Sequence, residues 1–269
     1  MRVVERTKLL AVDLAVLEKL RRRYPVIATK LFFNLARNLA AMLQRTESRF
    51  MAKMAEDAAQ DAYLKAITIS EAELVAEVDH ILADGVLTDQ ELRNLEARVY
   101  ADGKVTAVER AQIDRLNRLV ETGRVQHRHT GKPSMLSGLN ARQRSVVENH
   151  FSVRSYQAGQ TVWEGGAAWP VMAAVLVGKV GAELPGGNVP IYVRTALHGE
   201  LIGEEAVLMN AAEHAEKVVA LEDSRLLLID RGGLGSFMSI HTKLSAQFTY
   251  NLVSILSELL QDANRRLYQ

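Results

Sequence analysis

Tyr156-Gln-Ala-Gly159-Gln-Thr-Val-Trp-Glu-Gly165, Val175-Leu-Val-Gly178-Lys-Val180, Gly199-Glu-Leu-Ile-Gly203-Glu204 and Val218-Val-Ala220 form the stretch that decides the fold. Short β-branched runs alternate with single glycines, the pattern of short strands joined at corners too tight for a Cβ. Leu226-Leu-Leu-Ile229 adds a final strand, and together these runs predict a small closed β-roll. Before the roll, Leu136, Leu139, Val146 and Val147 fall at roughly helical spacing and predict a helix over 136–149. After it, Leu244, Phe248, Leu252, Leu256, Leu259 and Leu260 mark one face of a helical tail. No glycine precedes Gly85, so the first half reads as helices. The chain is expected to be α+β: an N-terminal all-α region, with a long helix and a short helical array, then a β-roll with C-terminal lid helices.

The 269 residues are 48% hydrophobic and 24% charged, enough apolar material for a sizeable core and too much for a disordered chain. The absence of cysteine removes disulfides, thiolate metal sites and thiol nucleophiles, and fits a reducing, cytoplasmic setting. The longest unbroken apolar run, Val171 to Val177, is short for a membrane span, so an integral membrane protein is not expected. Charge divides the chain further. Residues 1–54 hold 12 Lys/Arg against 4 Asp/Glu, residues 55–130 hold 9 against 15, and the remainder is nearly balanced at 12 against 13. These shifts suggest a basic segment over 1–54, an acidic helical array over 55–122, a linker over 123–135 and the roll with its lid over 136–269.

The acidic segment repeats with an 18-residue period: Ile69-Ser70 with Glu73, Leu87-Thr88 with Glu91, and Val105-Thr106 with Glu109. A Ser or Thr followed three residues later by Glu is a capping box, so three helix starts are marked. Ala83-Asp84-Gly85 and Ala101-Asp102-Gly103 precede the second and third, each with a glycine suited to ending the previous helix. The spacing also matches the second half of a calcium-binding EF-hand loop. Such a loop needs oxygen ligands where this chain has His80 and Leu82, or Arg98 and Tyr100, so capping accounts for the pattern better. The punctuation resembles that of TerB-like helical domains, over some 50 residues. That resemblance implies a small helical interaction domain, with Asp84 and Asp102 as its candidate metal-holding carboxylates.

From residue 136 onward the spaced motifs quoted above, in this order, resemble the cyclic nucleotide-binding domain, the β-roll with a helical lid found in catabolite activator protein. The resemblance makes Gly203 to Ala220 the phosphate-binding cassette. In that family a Gly-Glu pair opens a short helix, the Glu takes the ribose hydroxyl, and an Arg about ten residues on takes the cyclic phosphate. Gly203 and Glu204 match. His214 stands where the Arg belongs, Ala215 where a Ser or Thr usually helps, and no Arg lies between Arg194 and Arg225. A neutral histidine supplies little charge to a buried phosphate, and Glu205 and Glu213 add negative charge nearby. Lys217 is a possible substitute cation. The expected role is therefore a degenerate cassette in a module for self-association or docking to a larger complex. The alternatives are a genuine sensor of cyclic AMP or cyclic GMP, whose lid around Leu252 to Leu260 moves on binding, and a metal-responsive helical module.

Shifting the N-terminus by 217 positions superposes a second copy of the family's ending on residues 1–50. Glu5 falls on Glu222, Leu9-Leu10 on Leu226-Leu227, Asp13 on Asp230, Leu17 on Leu234, Asn34-Leu35 on Asn251-Leu252, Leu39 on Leu256 and Leu43-Gln44 on Leu260-Gln261. Residues 2–12 would then be a strand wanting partners, from another chain, the C-terminal roll or an upstream domain. Apolar residues at helical spacing run from Ile27 to Met54 and, without a breaker, on to Leu64 and Ile67, a long docking or oligomerisation helix. Arg21, Arg22 and Arg23 offer a possible contact with an anionic membrane surface, or simply a solvated helix end.

No catalytic constellation emerges. The chain has no phosphate-cradling glycine loop, no Gly-x-Ser-x-Gly elbow and no zinc-type histidine pair, and His127 and His129 sit in the basic linker. Trp163 and Trp169 read as packing residues of the roll. Neither an enzyme, nor a resident cofactor or metal, nor a DNA-reading domain after the lid is expected.

Overall fold

The computed structural model describes residues 14–54, 69–88, 91–92, 95, 98–99, 106–128, 134–183 and 192–268. The chain opens with helices α1 (Leu14–Arg23) and α2 (Pro25–Met54). Pro25 stands at the first position of α2, where a missing N–H costs nothing and the fixed φ already suits a helix. The expected strand over 2–12 and the continuation of α2 to Ile67 lie outside the described residues.

The acidic segment contains helices α3 (Glu71–Asp84) and α4 (Ala107–Glu121), both started by the capping boxes expected of Ser70/Glu73 and Thr106/Glu109. The middle box is formed as well: the Thr88 amide donates to Glu91 at 2.8 Å and the Glu91 amide to Thr88 Oγ1 at 3.2 Å. Gly85 ends α3 at φ 68°, in the left-handed region. The segment is not purely helical. Strand β1 (Val86–Thr88) pairs in parallel with β2 (Gln126–Arg128), which falls inside the stretch expected to be linker. Leu74, Val78, Leu95 and Leu116 form the centre of this segment's own core.

Helix α5 (Ala141–His150) leads into the roll. Its start is set by a box of Asn140 and Gln143, five residues later than the apolar spacing from Leu136 suggests, and residues 135–138 form a turn instead. The strands are β3 (Ser152–Tyr156), β4 (Thr161–Trp163), β5 (Val171–Val177), β6 (Val180–Glu183), β7 (Tyr192–Ala196), β8 (Leu201–Ile202), β9 (Lys217–Ala220) and β10 (Ser224–Asp230), with the short helix α6 (Glu204–Leu208) after β8. They make two four-stranded antiparallel sheets, ordered β3-β10-β5-β8 and β4-β9-β6-β7. At Gly178, φ 81°, an added Cβ would lie 2.4 Å from the Asp223 carbonyl oxygen, so only glycine fits that corner. Helices α7 (Arg231–Ile240) and α8 (Thr242–Tyr268) close the chain.

Helix α2 lies along α8 in parallel. Phe32 meets Tyr250 edge-on with ring centroids 5.5 Å apart, and about four turns further on Thr46 lies 3.5 Å from Asn264. Ala28 and Ala246, both fully buried, allow the close approach. Ala36, Ala40 and Leu43 of α2 join the main core with Phe151, Phe237 and Phe248, whereas Phe50 enters the second core, inside the roll, beside Trp163 and Val175. The N-terminal helix is thus built into the roll. Pro25–Phe50 is long and apolar enough to cross a membrane by length and composition, with a mean hydropathy of 1.2 and 33% of it buried. Core helices of soluble proteins meet the same criterion.

Candidate ligand pocket of the β-roll

The pocket begins at Gly203, whose φ of 76° turns the chain from β8 into α6. A Cβ there would sit 2.8 Å from Trp163 Cζ2, so the glycine lets the indole lie against the backbone. Glu204, the first residue of α6, is 2% exposed. Its carboxylate is met by Arg194 from β7, Nη1 to Oε1 and Nη2 to Oε2, both at 2.8 Å. This bidentate geometry is the strongest pairing available to a guanidinium, and it occupies the carboxylate that the resemblance reserves for a ribose. Arg194 is itself 6% exposed, and its Nη1 also donates to Glu47 of α2 at 3.0 Å.

Carboxylates outnumber cations here. Burial pushes Glu204 above the usual carboxylate range, against the pull of Arg194. Burial opposes the charge on Arg194, but Glu204 and Glu47 outweigh it and hold the guanidinium well above its ordinary value. Glu216 is pushed up to about 8, by burial first and then by Glu47, Glu205 and Glu204, with Arg194 opposing. Glu205 goes the other way: burial raises it, but the neighbouring His214 imidazole and the charge of Arg194 leave it lowered. A cyclic phosphate entering this set would meet four carboxyl groups around one guanidinium that is already paired.

His214 is 2% exposed. Its Nε2 donates to the Trp169 carbonyl at 2.8 Å, its ring stacks on Trp163 with centroids 4.3 Å apart and planes 15° apart, and its Nδ1 lies 3.9 Å from Glu205 Oε1. The histidine at the expected phosphate position is thus packed as part of the wall. Ala215 is exposed and brings no polar side-chain group, and Glu213 is exposed. Lys217, the possible substitute cation, pairs with Glu183 at 3.2 Å. Trp163 packs in the core as expected, whereas Trp169 is 37% exposed with Arg154 stacked 5.2 Å from its ring centre. The end of α6 is held from two sides: Arg37 of α2 donates to the Leu208 carbonyl at 3.1 Å, and Arg231 to the Ala206 carbonyl at 2.9 Å.

The site therefore brings together Gly203, Glu204 and His214, as the sequence suggests, and adds Arg194, Glu47, Phe50 and Glu216, which it did not single out. One signal was available for Arg194: a lone cation in the strand Tyr192-Val-Arg-Thr-Ala196 needs a carboxylate if it faces inward. Among the described residues no group of three or more His, Asp or Glu is placed to hold a metal. The Asp84 side chain, Asp102 and His129 lie outside the described residues, and His127 is described only in its backbone.

Residues 153–241 match the sequence model of the cyclic nucleotide-binding domain. No curated protein matches the chain. Among solved structures, catabolite activator protein from Thermus thermophilus is 23% identical over 50% of this chain and 61% of its own, with a TM-score of 0.41. The c-di-GMP responsive global regulator CLP of Xanthomonas campestris is 18% identical over 47% of this chain and 62% of its own, with a TM-score of 0.43. A cyclic nucleotide-binding domain from Methylobacillus flagellatus is 16% identical over 51% of this chain and 75% of its own, with a TM-score of 0.40. This chain thus spans about three fifths of the length of the first two. With its two antiparallel sheets and its Gly203-Glu204 turn, the stretch from 153 to 241 is a cyclic nucleotide-binding domain by family.

Proposed function

We propose that this chain is a non-catalytic regulatory or structural protein of the cytoplasm, in which the β-roll holds protein helices where its relatives by family hold a nucleotide. The observation that carries this reading is the double use of Arg194, which is bound to Glu204 of the cassette and to Glu47 of α2, with Phe50 of α2 seated in the roll core. Self-association or attachment to a larger complex then runs through the helices.

The alternative is a cyclic-nucleotide sensor, favoured by one observation: a guanidinium stands in the pocket after all, on β7. For that sensor to work, the ligand has to displace Glu47 and bring its phosphate to Arg194. Melting temperatures of the chain, with cyclic AMP, cyclic GMP and a cyclic dinucleotide, separate the two readings. A ligand at 100 times its dissociation constant adds about 2.7 kcal/mol to the folded state. The docking reading expects no shift for the unaltered chain, and a shift there overturns it. A shift confined to the His214→Arg or Glu47→Gln variants means that the cavity persists without the means to hold a phosphate.

A further inference from the structure

Around Arg194 the charges do not balance. Four carboxyl groups surround it: Glu47 from α2, Glu204 and Glu205 from α6, and Glu216 just ahead of β9. Glu204 takes both Nη atoms and Glu47 shares Nη1, so the bonds of the guanidinium go to two of the four. Glu205 and Glu216 are left over. Among the described residues no hydrogen bond or ion pair engages the Glu216 carboxyl, and burial with the charges of Glu47, Glu205 and Glu204 holds it up at about 8. Glu47, Glu205 and Glu216 each keep part of their surface exposed, so a solute reaches the cluster from outside.

A second observation comes from His214, which is 2% exposed. The Trp169 carbonyl that meets Nε2 can only accept, so the ring proton sits on Nε2 and Nδ1 presents a lone pair. That Nδ1 has no hydrogen-bond partner. It faces Glu205 Oε1 at 3.9 Å, so two acceptors look at each other beyond hydrogen-bond reach. The stack on Trp163, with centroids 4.3 Å apart, fixes the ring in that direction. A buried acceptor left unmet costs stability. Two acceptors at this separation suit a single donor group standing about 2.7–3.2 Å from each.

We infer that His214 Nδ1, Glu205 and Glu216 form a binding site for the primary ammonium group of a small organic amine. An ammonium carries three N–H donors and one positive charge, and the site offers three acceptors, two of them carboxyl groups without a cation of their own. The same groups repel a phosphate. A metal ion fits less well, because its bonds of about 2.0–2.6 Å demand a tighter cluster than any among the described residues. The inference deepens the docking reading and rests on it, since Glu47 adds its charge to the cluster only while α2 lies in the roll. Binding favours the ionised form of Glu216, so the amine releases the proton this carboxyl holds below about 8, and acid weakens binding.

The test titrates putrescine into the whole chain near pH 7 by calorimetry, in two buffers of different ionisation enthalpy, which counts the protons released. Tetramethylammonium, a cation without N–H donors, is the control at matched ionic strength. The expected result is saturable binding of putrescine with proton release and none of tetramethylammonium. Glu216→Gln should weaken binding about tenfold and abolish the proton release, and Glu205→Gln should weaken it to a similar degree. Absence of saturable binding up to about 10 mM overturns the inference. So does equal binding of tetramethylammonium, which identifies general screening of charge, or unchanged binding in both variants, which places the amine elsewhere. Melting with cyclic AMP on the same samples separates the two failures. A shift there overturns the docking reading and this inference with it, whereas silence of both ligands overturns this inference alone.

Discussion

Arg194 and Glu204 face each other through two parallel hydrogen bonds of 2.8 Å, one in the middle of β7 and the other on the first turn of α6. Both are almost fully buried, so neither charge has water to fall back on. Replacing Arg194 by Met is expected to destabilise the fold by about 3–5 kcal/mol, because it leaves the buried Glu204, and the half-buried Glu47 beside it, without their cation. Adding Glu204→Gln should recover a large part of that loss. Chemical denaturation of the single and double variants measures the coupling, and simple additivity would show that the pair is not a unit.

Phe50 is 5% exposed and fills the roll from outside its own sheets. Phe50→Ala should cost about 3–5 kcal/mol by opening a cavity beside Trp163. If α2 merely rests on the surface, limited proteolysis of this variant will leave α2 as resistant as before. Release of fragments cut within α2 is the expected result.

Glu216 gives the pocket a pH dependence whose sign can be worked out. Its carboxyl titrates near 4.5 in a reference state and about 8 in the fold, so between those values the folded chain keeps a proton that the unfolded chain has lost. Its contribution to stability is complete below about 4.5 and is lost as pH rises through about 8. The melting temperature of the natural chain should therefore fall more steeply from pH 5 to pH 9, taken here as roughly the window of that titration, than that of Glu216→Gln. Parallel curves for the two proteins would assign the slope to other groups.

Two glycines with nearly the same φ should respond differently to alanine. At Gly159, φ 83°, nothing lies within 4 Å of an added Cβ, so Gly159→Ala should cost only the left-handed backbone, about 1–2 kcal/mol. At Gly178, φ 81°, the Asp223 backbone is already in the way, and Gly178→Ala should cost clearly more, about 3 kcal/mol or above. Equal losses in thermal melts would mean that the corner relaxes easily.

The roll was legible because its corners impose a backbone that the sequence has to announce with Gly159, Gly178, Gly199 and Gly203, all of which take positive φ. The helix starts at Ser70, Thr88 and Thr106 were legible for a similar reason, since both halves of each cap lie within four residues. The start of α5 was not, because Leu136 and Leu139 pack against the core from a turn, where apolar spacing imitates a helix. The pairing of β1 with β2 was hidden in the same way, three residues on each side being too short to show a period. In the pocket, the sequence placed Gly203, Glu204 and His214. It did not place Arg194 with Glu47, whose positions are 147 apart and whose meeting depends on how α2 lies along α8.

The grip on α6 also bears on time. Arg37 and Arg231 hold its last carbonyls from α2 and α7, and Arg194 holds its first carboxylate from β7. To swing outward this five-residue helix has to break bonds to three elements in one event, because releasing any one leaves the others in place. Such a segment opens rarely and recloses fast. Any signal that passes through it would be an infrequent, all-or-none event rather than a graded tilt.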